Sequence, residues 1–134
     1  MLYLDTSAFM KLLVAEEHST LLRAALAGKE IWSSSLLAVE AHRAALRLGV
    51  AYDEVDIRLA AVALVAPSET SYFSARTIGT SMLRTLDALH LASALELGAD
   101  LDAVVTYDRR LAEAIDLEGV EVVAPGMIGR WWVA

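Results

Sequence analysis

The order in which apolar and polar residues follow one another predicts a chain of alternating strands and helices. Leu2 to Leu4 is a short apolar run ending at Asp5, and Thr6 and Ser7 are capping residues ahead of a helical run over Ala8 to Val14. A second helix is predicted from about Glu17 to Ala27, closing near Gly28, with Ile31 and Trp32 forming a brief strand after it. Ser33 to Ser35 read as another cap, Leu36 to Leu48 carry apolar residues at helical spacing, and Gly49 sits where a left-handed C-cap belongs. Tyr52 to Val65 is read as a further amphipathic helix stopped by Pro67, and Tyr72 to Ile78 as another. Thr85 to Leu97 is the strongest helical pattern, with Leu86, Leu89, His90 and Ala94 on one side and Gly98 closing it. Ala103 to Thr106 is a buried type of strand followed by Asp108. A last short helix begins over Leu111 to Ile115, ahead of Val120 to Val123 and Pro125.

Strand and helix alternate throughout. The expected architecture is therefore an α/β fold, a three-layer α/β/α sandwich around a mostly parallel sheet of about four to five strands. With 134 residues, no linker rich in Pro, Gly or Ser and no repeat of solenoid period, residues 1–134 are expected to form a single domain. Hydrophobic residues make up 57% and charged residues 22%, at a mean hydropathy of +0.49, which excludes a disordered tail, a coiled coil or a collagen-like segment. The longest apolar stretch, Leu59 to Ala66, falls well short of the roughly 18 residues a membrane-spanning helix needs. The amino terminus has no basic flank, and Asp5 interrupts any leader-like apolar core, so a cytoplasmic location is expected. So small a domain cannot hide every Leu, Ala and Val, and a contiguous exposed patch that serves as a partner surface is expected. Trp131 and Trp132 are expected to close the core or join such a contact.

Charge and cysteine content narrow the chemistry. With no cysteine, there is no disulfide, no thiolate nucleophile, and no sulfur-ligated metal. Eleven Lys and Arg against 18 Asp and Glu leave a net charge of -7, the reverse of the basic footprint of a general nucleic-acid binder. An anionic substrate would need something to reverse the charge locally, and a divalent cation held by oxygen ligands does so.

Asp5 and Asp108 directly follow predicted strands, the end of a parallel sheet where ligands bind. Glu40 and Asp87 fall near helix amino termini, where the helix dipole favours an anion. Each also has a plain structural reading: Asp5 as a helix cap, Asp87 as a dipole complement, Asp108 as a turn residue, and Glu40 as the ion-pair partner of Arg43. If the four meet, their like charges require neutralisation, and Mg²⁺ or Mn²⁺ fits an all-oxygen set. His18, His42 and His90 are too dispersed for a histidine metal site, although His90 lies one turn from Asp87 and is read as a buried histidine behind the cleft. Lys11, Arg84, Arg109 and Arg110 flank the acids and suit phosphate contacts, Arg84 foremost, one turn before Asp87.

Four blocks in order carry a resemblance: Leu-Tyr-Leu-Asp-Thr-Ser-Ala at 2–8, Ser-Ser-Leu-Leu-Ala-Val-Glu at 34–40, Leu-Asp-Ala-Leu-His-Leu-Ala-Ser-Ala-Leu at 86–95, and Val-Thr-Tyr-Asp-Arg-Arg-Leu at 105–111. The sequence resembles PIN-domain ribonucleases, specifically the VapC toxins of bacterial toxin–antitoxin systems, over essentially its whole length. The resemblance implies a Mg²⁺- or Mn²⁺-dependent endoribonuclease with catalytic acids at Asp5, Glu40, Asp87 and Asp108. Asp5, Asp87 and Asp108 are expected to be metal ligands, with Thr106 helping to order the site. Thr6, Arg84, Thr106 and Arg109 are expected to face the RNA. Some members carry a further acid at the position held here by Arg110, so the number of metal ions stays open. The implied partners are RNA, a second copy of the chain in a homodimer, and a cognate VapB antitoxin whose carboxyl-terminal segment wraps the toxin.

Two rivals stand beside this reading. A dehalogenase-type phosphatase needs an aspartate two residues after its nucleophile, where this chain has Ser7, and a receiver domain needs adjacent acids and a strand-end lysine. A catalytically silent PIN module that only binds partners is the other alternative, and a Mn²⁺ titration separates it from the enzyme.

Overall fold

The computed structural model describes residues 1–133. Five strands, β1 (Leu2–Leu4), β2 (Ile31–Ser34), β3 (Ala63–Val65), β4 (Ala103–Val105) and β5 (Glu121–Val123), form one all-parallel sheet in the order β3-β2-β1-β4-β5. The helices are α1 (Thr6–Leu13), α2 (Ser19–Leu26), α3 (Leu36–Leu48), α4 (Tyr52–Leu59), α5 (Glu69–Ser74), α6 (Thr85–Leu95) and α7 (Arg109–Leu117).

Alternation along the central strands sorts the core into two layers. Leu4 pairs in register with Val105, and both pack with Phe9, Leu22, Leu37 and Val55 of α1 to α4. Tyr3 pairs with Val104, and both pack on the opposite face with Leu91, Leu111 and Ile115 of α6 and α7. Each such side chain contributes about 1.5–3 kcal/mol when fully buried, so a shift of register by one residue would exchange the two layers and is strongly opposed. The three-layer sandwich expected from the sequence is the architecture found.

Several element boundaries differ. The helix expected from Tyr52 to Val65 ends at Leu59, and Ala63–Val65 turns instead into β3, paired with β2 through Trp32–Ala63, Ser33–Leu64 and Ser34–Val65. The apolar run Leu59 to Ala66 fits a helix or a strand equally well, and the open edge of β2 takes it as a strand. α5 begins earlier than expected because the Ser68 side chain, just after Pro67, accepts the Ser71 amide. α1 is capped by Asp5 rather than by Thr6 or Ser7, and α7 begins at Arg109 because Asp108 caps it. α2 starts only at Ser19, after His18 in the left-handed region at φ 70°. Gly49 takes the left-handed C-cap of α3 as expected, whereas Gly98 opens a short 3-10 turn instead of closing α6 directly. Trp131 and Trp132 meet edge to face at the end of the chain, half-buried, with the Trp132 indole on Asp116. Among the described residues, no helix is long and apolar enough to cross a membrane.

Candidate active site

The site lies where β1 and β4 run into helices at their carboxyl ends, the usual ligand-binding edge of a parallel sheet. Asp5 is the first residue after β1. Its Oδ1 accepts the Ala8 amide at 3.0 Å and the Ser7 hydroxyl at 2.7 Å, and its Oδ2 accepts the Thr106 hydroxyl at 2.7 Å. Asp108 caps α7 through Oδ1, which accepts the Leu111 amide at 3.0 Å. Both aspartates cap helices as the plain structural reading has it, and each carboxylate has more acceptor capacity than capping uses.

Thr106 ties the two together. Its hydroxyl donates to Asp5 Oδ2 and accepts the Asp108 amide at 3.0 Å. Ser7 adds a second tie, donating to Asp5 while accepting the Tyr107 amide at 2.9 Å. Thr106, expected to face the RNA, is 0% exposed, and its hydroxyl is taken up by Asp5 and Asp108 rather than turned outward.

Glu40 and Asp87 approach from the helices. Glu40 stands on the second turn of α3 and Asp87 in the first turn of α6. Glu40 does not pair with Arg43. Its Oε1 instead meets His90 Nε2 at 2.6 Å and accepts the Thr6 hydroxyl at 3.0 Å. His90 is 1% exposed, and its Nδ1 lies 2.7 Å from the Tyr3 hydroxyl. Burial raises the pKa of that phenol, so it keeps its proton. The phenolic proton is thus free to point at His90 Nδ1, which leaves the Nε2 hydrogen for Glu40. Thr6, expected to face the substrate, turns its hydroxyl to Glu40 instead.

Asp87, Asp108, Arg84, Arg109 and Arg110 line one hollow of about 220 Å³. Burial, then the like charge of Asp108, raises the Asp87 pKa, with Glu40 adding to the rise and His90 and Arg84 opposing it. Burial pushes Asp5 up to about 6, against the hydrogen bonds from Ala8, Thr106 and Ser7. Arg109 also donates to the Trp132 carbonyl at 3.2 Å. Lys11, expected beside the acids, is taken up by the Glu17 carbonyl at 3.0 Å, by Glu16, and by the Tyr107 ring.

Among the described residues, no three acidic or imidazole side chains already stand at the spacing of a closed ligand set. The donor chemistry fits a hard divalent cation: every candidate ligand atom is an oxygen. Both Asp87 oxygens, Asp108 Oδ2 and Glu40 Oε2 accept no hydrogen bond from the described residues, which leaves them available to a cation or its water. His90 and Ser7 were the residues hardest to pick from sequence. A titratable residue inside the apolar run Ala88 to Ala92 was the signal for His90, while Ser7 looked like a simple cap.

An all-parallel five-stranded sandwich with acids gathered at the strand ends defines an acidic-site α/β domain, and comparison assigns its family. The PIN domain model matches residues 2–117, and this chain belongs to the PIN domain family. It is similar to "Ribonuclease VapC47" of Mycobacterium tuberculosis, at 36% identity over 135 residues covering 96% of this chain and 99% of the relative. It is also similar to "Ribonuclease VapC46" of the same species, at 40% identity over 126 residues covering 92% and 97%. Among solved structures, the fold matches Mycobacterium tuberculosis VapC20, described as a sarcin–ricin loop cleaving toxin, with a TM-score of 0.73 at 14% identity over 93% of this chain and 100% of that one. It also matches the VapBC2 structure from Rickettsia felis bound to a promoter DNA fragment, with a TM-score of 0.63 at 16% identity.

Proposed function

We propose that this protein is the toxin of a VapBC-type toxin–antitoxin pair and a Mg²⁺- or Mn²⁺-dependent endoribonuclease. The observation that carries this reading is that Asp5 and Asp108 are tied through Thr106, with Asp87 coupled by charge to Asp108 and Glu40, in a PIN domain whose relatives are named ribonucleases. These carboxylate oxygens would hold a divalent cation, which when bound would supply polarisation of a phosphoryl oxygen and a lowered pKa for bound water.

Asp87 and Asp108 hold the cation from their shared hollow. Asp5, fixed by Ser7, Thr106 and the Ala8 amide, supplies the third carboxylate. Thr106 acts as a positioning residue for Asp5 and Asp108 and makes no substrate contact. Glu40 is pinned at Oε1 by His90 and Thr6, which leaves Oε2 to accept the proton of the attacking water. Arg84, Arg109 and Arg110 receive phosphate beside the acids and offset the chain's overall negative charge there. A VapB-type antitoxin and a second copy of the chain are the proposed protein partners.

Cleavage of RNA with added Mn²⁺, measured beside the same reaction in EDTA and beside Asp87→Asn, tests this reading. We expect cuts only with the metal and the intact aspartate. No metal-dependent cleavage by the unaltered chain, together with no Mn²⁺ binding in a calorimetric titration, would leave the silent binding module as the correct reading.

A further inference from the structure

A cleaved strand continues on both sides of the bond that breaks, yet Arg84, Arg109 and Arg110 flank the acids on one side only. The other side has its own groove, of about 430 Å³, running along α3. Thr6, Ser7 and Glu40 form its inner end, Arg43 and Arg47 line it further out, and Leu86 closes it against α6. Leu86 and Asp87 are consecutive residues, one lining each hollow, so the amino terminus of α6 is the saddle between them.

We propose that the α3 groove is the second arm of the RNA path, with Arg43 and Arg47 binding strand phosphates across the cleavage site from Arg84, Arg109 and Arg110. The proposal rests on the ribonuclease reading and adds to it a binding site and two residues.

Charge carries the argument. The chain has 11 Lys and Arg against 18 Asp and Glu, and five of those 11 line the two hollows beside the acids. Neither Arg43 nor Arg47 has a carboxylate within 4.0 Å among the described residues, so neither is held in an ion pair there. Arg43 and Arg47 are four residues apart on one helix, about 6 Å along its axis, and so project from the same face as consecutive rungs. Val39, 64% exposed, and Leu86, 45% exposed, line the same groove and offer apolar surface suited to the faces of unstacked bases. A separate hollow with Arg23, Lys29 and Arg58 opens by the amino ends of β2 and β3 and provides a control.

The test is the salt dependence of RNA binding by the full chain in EDTA, read from the anisotropy of a labelled single strand of about 12 nucleotides. Each lost phosphate contact lowers the slope of log K against log salt by about 0.7 for a single strand, so Arg43→Ala with Arg47→Ala should flatten it by about 1.4. Lys29→Ala with Arg58→Ala should leave the slope unchanged. We also expect the Arg43→Ala, Arg47→Ala pair to raise KM for the long strand at little cost in kcat. An unmoved slope in that pair overturns the proposal, and if the same pair loses a protein partner instead, the groove belongs to that partner. An unaltered chain that neither binds nor cuts RNA would sink the ribonuclease reading itself. Cleavage by the unaltered chain with an unmoved slope in the pair sinks only the groove.

Discussion

His90 Nε2 lies 2.6 Å from Glu40 Oε1, and the Tyr3 hydroxyl lies 2.7 Å from the other nitrogen of the same ring. A buried imidazole thus orients the Glu40 carboxylate, the proposed base, and is itself oriented by a phenol from β1. His90→Gln keeps a donor for Glu40 but loses the ring that Tyr3 orients. We expect RNA cleavage to fall about 10- to 100-fold, the range seen when an outer hydrogen-bond partner of a reactive group is removed. In a Glu40→Gln background, the same change should cost little more, because both act through one carboxylate. Multiplied losses in the double variant would show that His90 matters only for packing.

Thr106 is the single hydroxyl that touches both strand-end aspartates. Thr106→Val keeps its shape and removes both bonds, leaving the Asp108 amide without this acceptor and Asp5 without this donor. Such buried losses cost about 1–3 kcal/mol. The thermal midpoint should drop, and cleavage with it, while Thr106→Ser should restore both. A Val variant with unchanged Mn²⁺ affinity and unchanged rate removes Thr106 from the site.

These acids were largely legible in the sequence because position alone marks them. Asp5 directly follows β1 and Asp108 lies three residues past β4, and the capping bonds both make use only part of each carboxylate. β3 was not legible, since Leu59 to Ala66 has no polar residue to reveal a period, and only the open edge of β2 decides its form. Glu40 was legible as an acid but not in its partnership. Arg43, three residues on along α3, is the obvious local partner, whereas His90 comes from 50 positions away and is brought there only by the packing of α6 against the sheet.

Gly126 combines φ +97° with a close approach to His18, where an added Cβ would lie 2.1 Å from the ring Nδ1. His18 stacks on Tyr107, and Tyr107 donates to the Pro125 carbonyl, so these contacts hold the carboxyl-terminal segment against the start of α2. Gly126→Ala must move the His18 ring and adopt a backbone angle that disfavours any side chain, at a cost of about 1–3 kcal/mol. We expect a lower unfolding midpoint in denaturant at an unchanged slope, with the Mn²⁺ affinity kept. A wild-type midpoint would show that the segment yields freely.

Burial raises Asp5 from the ordinary aspartate value of 3.8 to about 6. In the folded chain the group therefore holds its proton more tightly than in the unfolded chain, and stability falls as pH rises from about 4 to about 6. Above that window the ionised carboxylate works against the fold until a cation neutralises it. Asp5→Asn keeps a side-chain oxygen for the Ala8 amide and cannot ionise, so in EDTA near neutral pH it should unfold at a higher temperature than the unaltered chain. The upper bound is about 3 kcal/mol, two pKa units at 1.36 kcal/mol each, less whatever the amide loses against Ser7 and Thr106. The advantage should fade towards pH 4, where the aspartate is protonated in both states. Saturating Mn²⁺ should reverse the order, because a ligand that binds only the folded state stabilises the chain with the complete acid set more strongly. Melting curves at two pH values, with and without Mn²⁺, check all three signs, and an Asn variant less stable in EDTA at neutral pH would mean that the cap and hydroxyl bonds outweigh the buried charge.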